Sequence, residues 1–239
     1  MKNAIVTGAT KGIGLAVAQM LLREGYHVVV TYAHDERSAE ECRAQLALIS
    51  REFEVIKADQ SDKEAMREFA QSMLKLSTID CIVCNAGTTL RCDLESITDE
   101  DWERTMQVNL NSSLYLIRDL YKRIPENSRI VFIGSLMGVY PHGTSLAYGV
   151  TKAAVHALAL NLVKCFEGTN TTVNAIAPGF VETEWQATKP LEIRNNIYQK
   201  SAVKRFAQTE EVADAVRFCL NNGFVNGSVI EVSGGYCFK

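Results

Sequence analysis

The chain has 239 residues, enough for one α/β domain with a large buried core, and its composition gives no sign of disorder. Lysine and arginine number 25 against 28 acidic residues, a net charge of −3, which argues against general attraction to nucleic acid or anionic membrane and favours a small-molecule partner. The opening residues already read as a strand, leaving no room for a signal peptide, and no later apolar run is expected to reach membrane-spanning length, so a cytoplasmic protein is expected.

In chain order, apolar and β-branched runs fall at 4–7, 27–32, 53–58, 79–84, 129–134, 171–176 and 228–232, with helical patterns between them. The alternation predicts a doubly wound parallel sheet of about seven strands, a Rossmann fold with helices on both faces, in a single domain spanning 1–239. Ser61 with Glu64 and Thr98 with Asp101 have capping-box spacing, and Thr209-Glu210-Glu211 places acid at another helix start. The stretch 181–208 is the least regular and carries scattered apolar residues, Trp185, Leu191, Ile193 and Ile197, as a substrate lid or a plain surface excursion would.

Cys81 and Cys84, among seven scattered cysteines, lie three apart on a predicted strand, which points them to opposite faces and makes a poor redox or zinc pair. His27, His34, His142 and His156 lack Cys or carboxylate partners at metal-ligand spacing, so no catalytic metal is expected.

The first strand runs into Thr7-Gly8-Ala9-Thr10-Lys11-Gly12-Ile13-Gly14, and helical periodicity follows in Leu15, Val17, Ala18, Leu21 and Leu22. Glycines let backbone amides approach a pyrophosphate, and a helix N-terminus adds partial positive charge, so the location predicts a dinucleotide. The spacing is not the general GxGxxG, and a tight connection alone also explains a glycine turn. Cofactor choice depends on charge near the ribose 2′ position, where the second strand ends in Tyr32. Lys11 can pair with a 2′-phosphate, with Arg37 and His34 as further neighbours, which favours NADP; Asp35, about 20 residues beyond the last glycine, keeps NAD open.

Of eight tyrosines, only Tyr148 is followed four residues later by a lysine, Lys152, and that spacing puts both on one helix face. Ser135 ends the fifth predicted strand, at the sheet edge where open α/β proteins bind ligands. An ammonium about 5 Å from a phenol contributes roughly 3 kcal/mol at an effective dielectric near 20, on the order of two pKa units toward a usable acid or base.

The TGxxxGxG pattern of Thr7, Gly8, Gly12 and Gly14 resembles the classical short-chain dehydrogenase/reductase family, and the resemblance extends over nearly the whole chain. Asp59, Asn85-Ala86-Gly87, Asn109, Ser135, Tyr148, Lys152, Pro178-Gly179 and Thr183 follow in the family's order, while Cys84 replaces the first Asn of its Asn-Asn-Ala-Gly. The resemblance implies an oxidoreductase in which Asn109, Ser135, Tyr148 and Lys152 form the catalytic group. It also implies cofactor contacts from Gly8, Thr10, Lys11, Gly12, Ile13, Gly14, Tyr32, Asp59 near the adenine, Asn85, Ala86, Gly87, Tyr148, Lys152, Pro178, Gly179, Val181 and Thr183. By the same resemblance Asn109 holds a proton-relaying water, Lys152 binds the nicotinamide ribose, and subunits pair into a homotetramer, with a dimer as the alternative. The glycine turn and the 203–213 segment are most similar to 3-oxoacyl-(acyl-carrier-protein) reductases of fatty acid biosynthesis. Sugar, polyol or steroid dehydrogenases share the same catalytic group, and a non-enzymatic NADP-binding sensor or scaffold is the alternative from another class.

Overall fold

The computed structural model describes residues 1–141 and 145–236; His142 and Cys237 lie outside them. Seven parallel strands, β1 (Asn3–Val6), β2 (His27–Tyr32), β3 (Phe53–Lys57), β4 (Cys81–Cys84), β5 (Arg129–Ile133), β6 (Thr172–Pro178) and β7 (Val229–Val232), form one sheet in the order β3-β2-β1-β4-β5-β6-β7. All seven expected runs are strands. Burial on both faces explains their nearly continuous apolar character: β1, β4 and β6 are buried throughout.

Helices α1 (Gly12–Arg23), α2 (Glu36–Ala47) and α9 (Thr209–Asn221) enclose one core, in which Ala4, Val6, Cys81 and Val83 meet Val17, Leu21, Cys42 and Val216. Helices α3 (Lys63–Met73), α5 (Ser112–Leu120) and α6 (Leu146–Leu162) enclose the other, where Ile5, Ile82 and Cys84 meet Phe69, Leu116 and Val155. Cys81 and Cys84 therefore sit on opposite faces of β4. Among the described residues no three His, Cys, Asp or Glu side chains cluster so as to hold a metal ion.

Helix starts follow local chemistry with small shifts. Thr98 caps α4 (Asp99–Met106), its Oγ1 accepting from the Asp101 amide, as its spacing predicts. At α3 the cap is Asp62 rather than Ser61, because its carboxylate accepts from two amides, those of Glu64 and Ala65. At α9 the box is Gln208 with Glu211, one residue before Thr209.

Two expectations need correction. The helix from Leu146 to Phe166, 21 residues at mean hydropathy 1.3, is long and apolar enough to cross a membrane by length and composition. One side, including Val155, Ala159, Leu162 and Phe166, packs into the second core. The 181–208 stretch is also more regular than its sequence implies. It contains α7 (Glu184–Ala187) and α8 (Leu191–Gln199), and its ends are joined by a Val181–Ala207 bridge. Arg194 organises it by pairing with Glu182 and lying 4.7 Å from the Phe206 ring centre. Its regularity comes from these contacts across the excursion, which hydrophobic periodicity does not report.

Candidate active site

β1 delivers the chain into the glycine turn beside the switch between β1 and β4, where connections part to opposite sides of the sheet. Gly8 (φ 59°) and Gly12 (φ 58°) adopt the left-handed conformation, and a Cβ on Gly8 would lie 2.8 Å from the Ala86 Cα. Lys11 offers α1 no side-chain cap, so first-turn amides remain available to an anion. Asn85 supports the turn: its Nδ2 donates to the carbonyls of Thr7 at 3.0 Å and Gly8 at 2.8 Å. Thr7 Oγ1 accepts from the Asn85 and Ala86 amides. Cys84, in the family's Asn position, is buried and bonded to Ser113, and burial pushes its thiol up to about 12.

A cavity of about 760 Å³ opens along this edge. Gly8, Thr10, Lys11, Gly12, Ile13, Tyr32, Asn85, Ala86, Gly87, Pro178, Gly179, Val181 and Thr183 all line it. Gly14 and Asp59 do not. A Cβ on Gly14 would lie 2.6 Å from the Ala9 Cα, so this glycine lets α1 pack onto the turn. The Asp59 carboxylate accepts from the Ser61 amide and pairs with His34 Nε2 at 2.8 Å, and Gln60 takes the lining position.

At the end of β2, the Tyr32 hydroxyl donates to Glu36 at 2.6 Å. Lys11 Nζ bridges Asp35 at 3.1 Å and Glu184 at 2.7 Å, tying the glycine turn to the start of α2 and to α7. Asp35 also caps α2, and its bonds from the Ser38 hydroxyl and amide, then from Lys11, hold its carboxyl well below the usual range.

Ser135 follows β5, and Tyr148 and Lys152 stand one turn apart on α6; all three line the cavity. Lys152 Nζ lies 5.7 Å from the Tyr148 ring centre and donates to the Ile133 carbonyl at 2.7 Å. Burial pushes the phenol above its ordinary value, opposed by a hydrogen bond with Ser135 and the charge of Arg91. Lys152 is itself pushed down to about 8 by burial. The expected net lowering of the phenol by Lys152 is therefore absent in the chain by itself, because desolvation dominates at both groups.

Asn109 lies in a π-helical turn, Gln107–Asn111, between α4 and α5, and does not line the cavity. Both polar atoms of its side chain have partners among its neighbours. Oδ1 accepts from the Thr88 amide at 2.7 Å, and Nδ2 donates to the Thr88 carbonyl and to Thr151 Oγ1, both at 2.9 Å. Asn109 thus ties the segment after Gly87 to α6. This geometry makes its side chain a positioning group.

His156, one turn beyond Lys152, is buried with Nε2 3.4 Å from the Ser135 amide, which donates to it. A Cβ on Gly134 would come within 2.1 Å of that nitrogen, so the glycine permits the contact. Burial, then the Lys152 charge, lowers His156 to about 4 from 6.5. The unfolded chain therefore takes up this proton first on acidification: stability is full above pH 6.5 and falls by about 2 kcal/mol between pH 6.5 and 5. Urea unfolding across that range should show this component in the wild type and lose it in His156→Gln. An unchanged slope in the variant would assign the proton uptake to another group.

Sequence reasoning missed His156, Gln60 and Arg91 as parts of this region. The i+4 step from Lys152 to His156 was a usable signal. For Arg91, only its place four residues after Gly87 offered one.

Two hydroxyls, a buried ammonium and a glycine turn in one cavity can bind a dinucleotide and exchange a proton with an oxygen held at Ser135 and Tyr148. Residues 2–193 match the family model for short chain dehydrogenase. The chain is similar to the Short-chain dehydrogenase/reductase SDRA of Arabidopsis thaliana, 31% identical over 98% of this chain and 94% of that protein. It is 32% identical to the 3-oxoacyl-(acyl-carrier-protein) reductase FabG of Aquifex aeolicus, over 98% of this chain and 96% of the relative. Among solved structures, a short chain dehydrogenase from Burkholderia cenocepacia in complex with NADP is 26% identical and superposes with a TM-score of 0.91, covering 98% of this chain and 97% of that one. The chain belongs to the short-chain dehydrogenase/reductase family and is an NAD(P)-dependent oxidoreductase.

Proposed function

We propose that the chain reduces a ketone to a secondary alcohol with NADPH, that Tyr148 supplies the proton, and that oxoacyl compounds are its leading substrate class. The observation that carries this reading is the convergence of Ser135 and Tyr148 on one cavity wall, with Lys152 beside the phenol ring. The nicotinamide, when bound, supplies hydride to the carbonyl carbon. Ser135 donates to the carbonyl oxygen as negative charge grows there, and Tyr148 delivers the proton. Lys152 stabilises the phenolate left behind and would hold a ribose hydroxyl when the dinucleotide is bound. Asn109 keeps the Thr88 segment against α6, which fixes the floor beneath both groups.

Gly8, Thr10, Gly12, Ile13, Asn85, Ala86 and Gly87 form the cradle for the pyrophosphate and adenosine, and Pro178, Gly179, Val181 and Thr183 border the nicotinamide end. NADP is favoured by Lys11 and by the NADP complex of the Burkholderia relative. A 2′-phosphate must compete with Asp35 and Glu184 for Lys11, so the preference is moderate. Lys11→Ala should weaken NADPH about tenfold while changing NADH about twofold or less in fluorescence titrations. Equal weakening of both cofactors would remove Lys11 as the phosphate partner.

The oxoacyl class is supported by the Aquifex relative's name. Assaying 3-oxoacyl thioesters beside sugars, polyols and steroids, with NADPH and NADH, tests it; a preference for a cyclic alcohol would displace it. Residues 1–239 are taken as one cofactor-binding and catalytic unit, with 181–208 as the cover of the substrate end. Exposed Leu114 on α5, Tyr121 in the turn after it, and Leu146, Val150 and Leu160 on α6 support pairing of subunits into a tetramer. Sedimentation equilibrium should show four chains, and a monomer at micromolar concentration would reject that assembly.

A further inference from the structure

The charges along the cavity are unevenly balanced. At the glycine turn, Lys11 is matched by Asp35 and Glu184, the two carboxylates that line the cavity among the described residues. At the proton-transfer end, Arg91 lines the same cavity, and its guanidinium has no ion pair or hydrogen bond within the described residues. Arg91 is close enough to Tyr148 for its charge to favour the phenolate. It also acts on Lys189, from the segment between α7 and α8, whose ammonium is held below the ordinary lysine range by burial and then by Arg91. Lys189 likewise has no acidic partner among the described residues.

Arg91, on the segment after β4, thus stands on the cavity wall that also carries Ser135 and Tyr148, while Lys189, from the 181–208 excursion, feels its charge from outside that wall. A cation on the wall of a partly desolvated cleft without an acidic partner is stabilised when an anion enters beside it. Neither cation is needed for the dinucleotide phosphates, which have the amides of the glycine turn and α1. Arginine adds a planar fork suited to a carboxylate or phosphoryl group.

We propose that the substrate carries an oxyanion a few bonds from its reacting carbonyl, and that Arg91 receives it. A free oxo acid or an oxoacyl chain ending in a carboxylate supplies that group, and a phosphorylated ketone offers the same chemistry. The proposal rests on ketone reduction at Tyr148 and narrows its substrates. Arg91 then sets orientation, presenting the carbonyl oxygen to Ser135 and Tyr148 rather than the anion.

Binding and turnover test it separately. On protein saturated with NADP⁺, calorimetry with butyrate, inorganic phosphate and neutral butyramide should show an oxyanion binding about tenfold or more tightly than butyramide, with the advantage falling as salt rises. Arg91→Gln should remove most of that advantage, and Arg91→Lys should keep part of it. Butyrate binding without phosphate binding identifies a carboxylate substrate; the reverse identifies a phosphorylated one. In turnover with NADPH, the ratio of kcat/KM for acetoacetate over its methyl ester should fall about tenfold or more in Arg91→Gln, chiefly through KM. Equal binding of the charged and neutral probes, or an unchanged ratio in Arg91→Gln, overturns the proposal. Absence of turnover for every ketone, with oxyanion binding still dependent on Arg91, would instead reject reduction at Tyr148 and leave the anion site standing.

Discussion

Tyr148→Phe is expected to lower ketone reduction about a thousandfold while changing NADPH affinity about twofold or less. The substitution removes one oxygen and leaves the ring that faces Lys152 at 5.7 Å. Ser135 still hydrogen-bonds the carbonyl oxygen, so residual rate persists, but the group that delivers the proton beside Ser135 is gone. Single-turnover NADPH oxidation separates the chemical step from cofactor binding. Full activity in the variant would take Tyr148 out of the mechanism.

Lys152→Met is expected to produce opposite changes in activity and stability. Activity should fall about a hundredfold or more, since the phenolate loses its nearest buried cation. Stability at pH 7 should rise by about 1–2 kcal/mol. Lys152 is 4% exposed and its ammonium is lowered from 10.5 to about 8, so keeping it charged in the folded chain is unfavourable below pH 8. Between pH 8 and 10.5 the unfolded chain holds the proton that the folded chain has released, and this penalty fades as pH rises. The loss of the Ile133 carbonyl's partner offsets part of the gain. Urea unfolding of wild type and variant at pH 7 and 9.5 should show an advantage for Met at the lower pH that shrinks at the higher. A destabilised Lys152→Met would mean that the ammonium is a structural pillar rather than a functional cost.

The sheet was legible because burial on both faces writes long β-branched runs into the sequence, as in His27–Tyr32 and Thr172–Pro178. Cys81 and Cys84 followed from strand periodicity alone, and their cores confirm it. What stayed hidden depends on contacts between distant segments. The cap at Asp62, one residue past Ser61, depends on which side chain reaches two amides. Asp59 has the family's position, but its carboxylate is occupied by His34 and Ser61. Asn109 matches the motif, yet the π turn and its bonds to Thr88 and Thr151 appear only when three segments meet. The regular structure of 181–208 likewise depends on Arg194 reaching Glu182 and Phe206. The electrostatics of Tyr148 diverged for a simpler reason: one-turn spacing reports a neighbouring charge but says nothing of the desolvation that opposes it.

That opposition makes the titration of a single phenol the most direct test of the account. The tyrosinate absorbance of wild type minus Tyr148→Phe, followed near 295 nm against pH, isolates Tyr148 with and without saturating NADP⁺. The account predicts ionisation above the ordinary phenol range in the chain alone and a clear move to lower pH when the positive nicotinamide ring is bound. Superimposable titrations under the two conditions would contradict the assignment of Tyr148 as the group that gives and takes the proton.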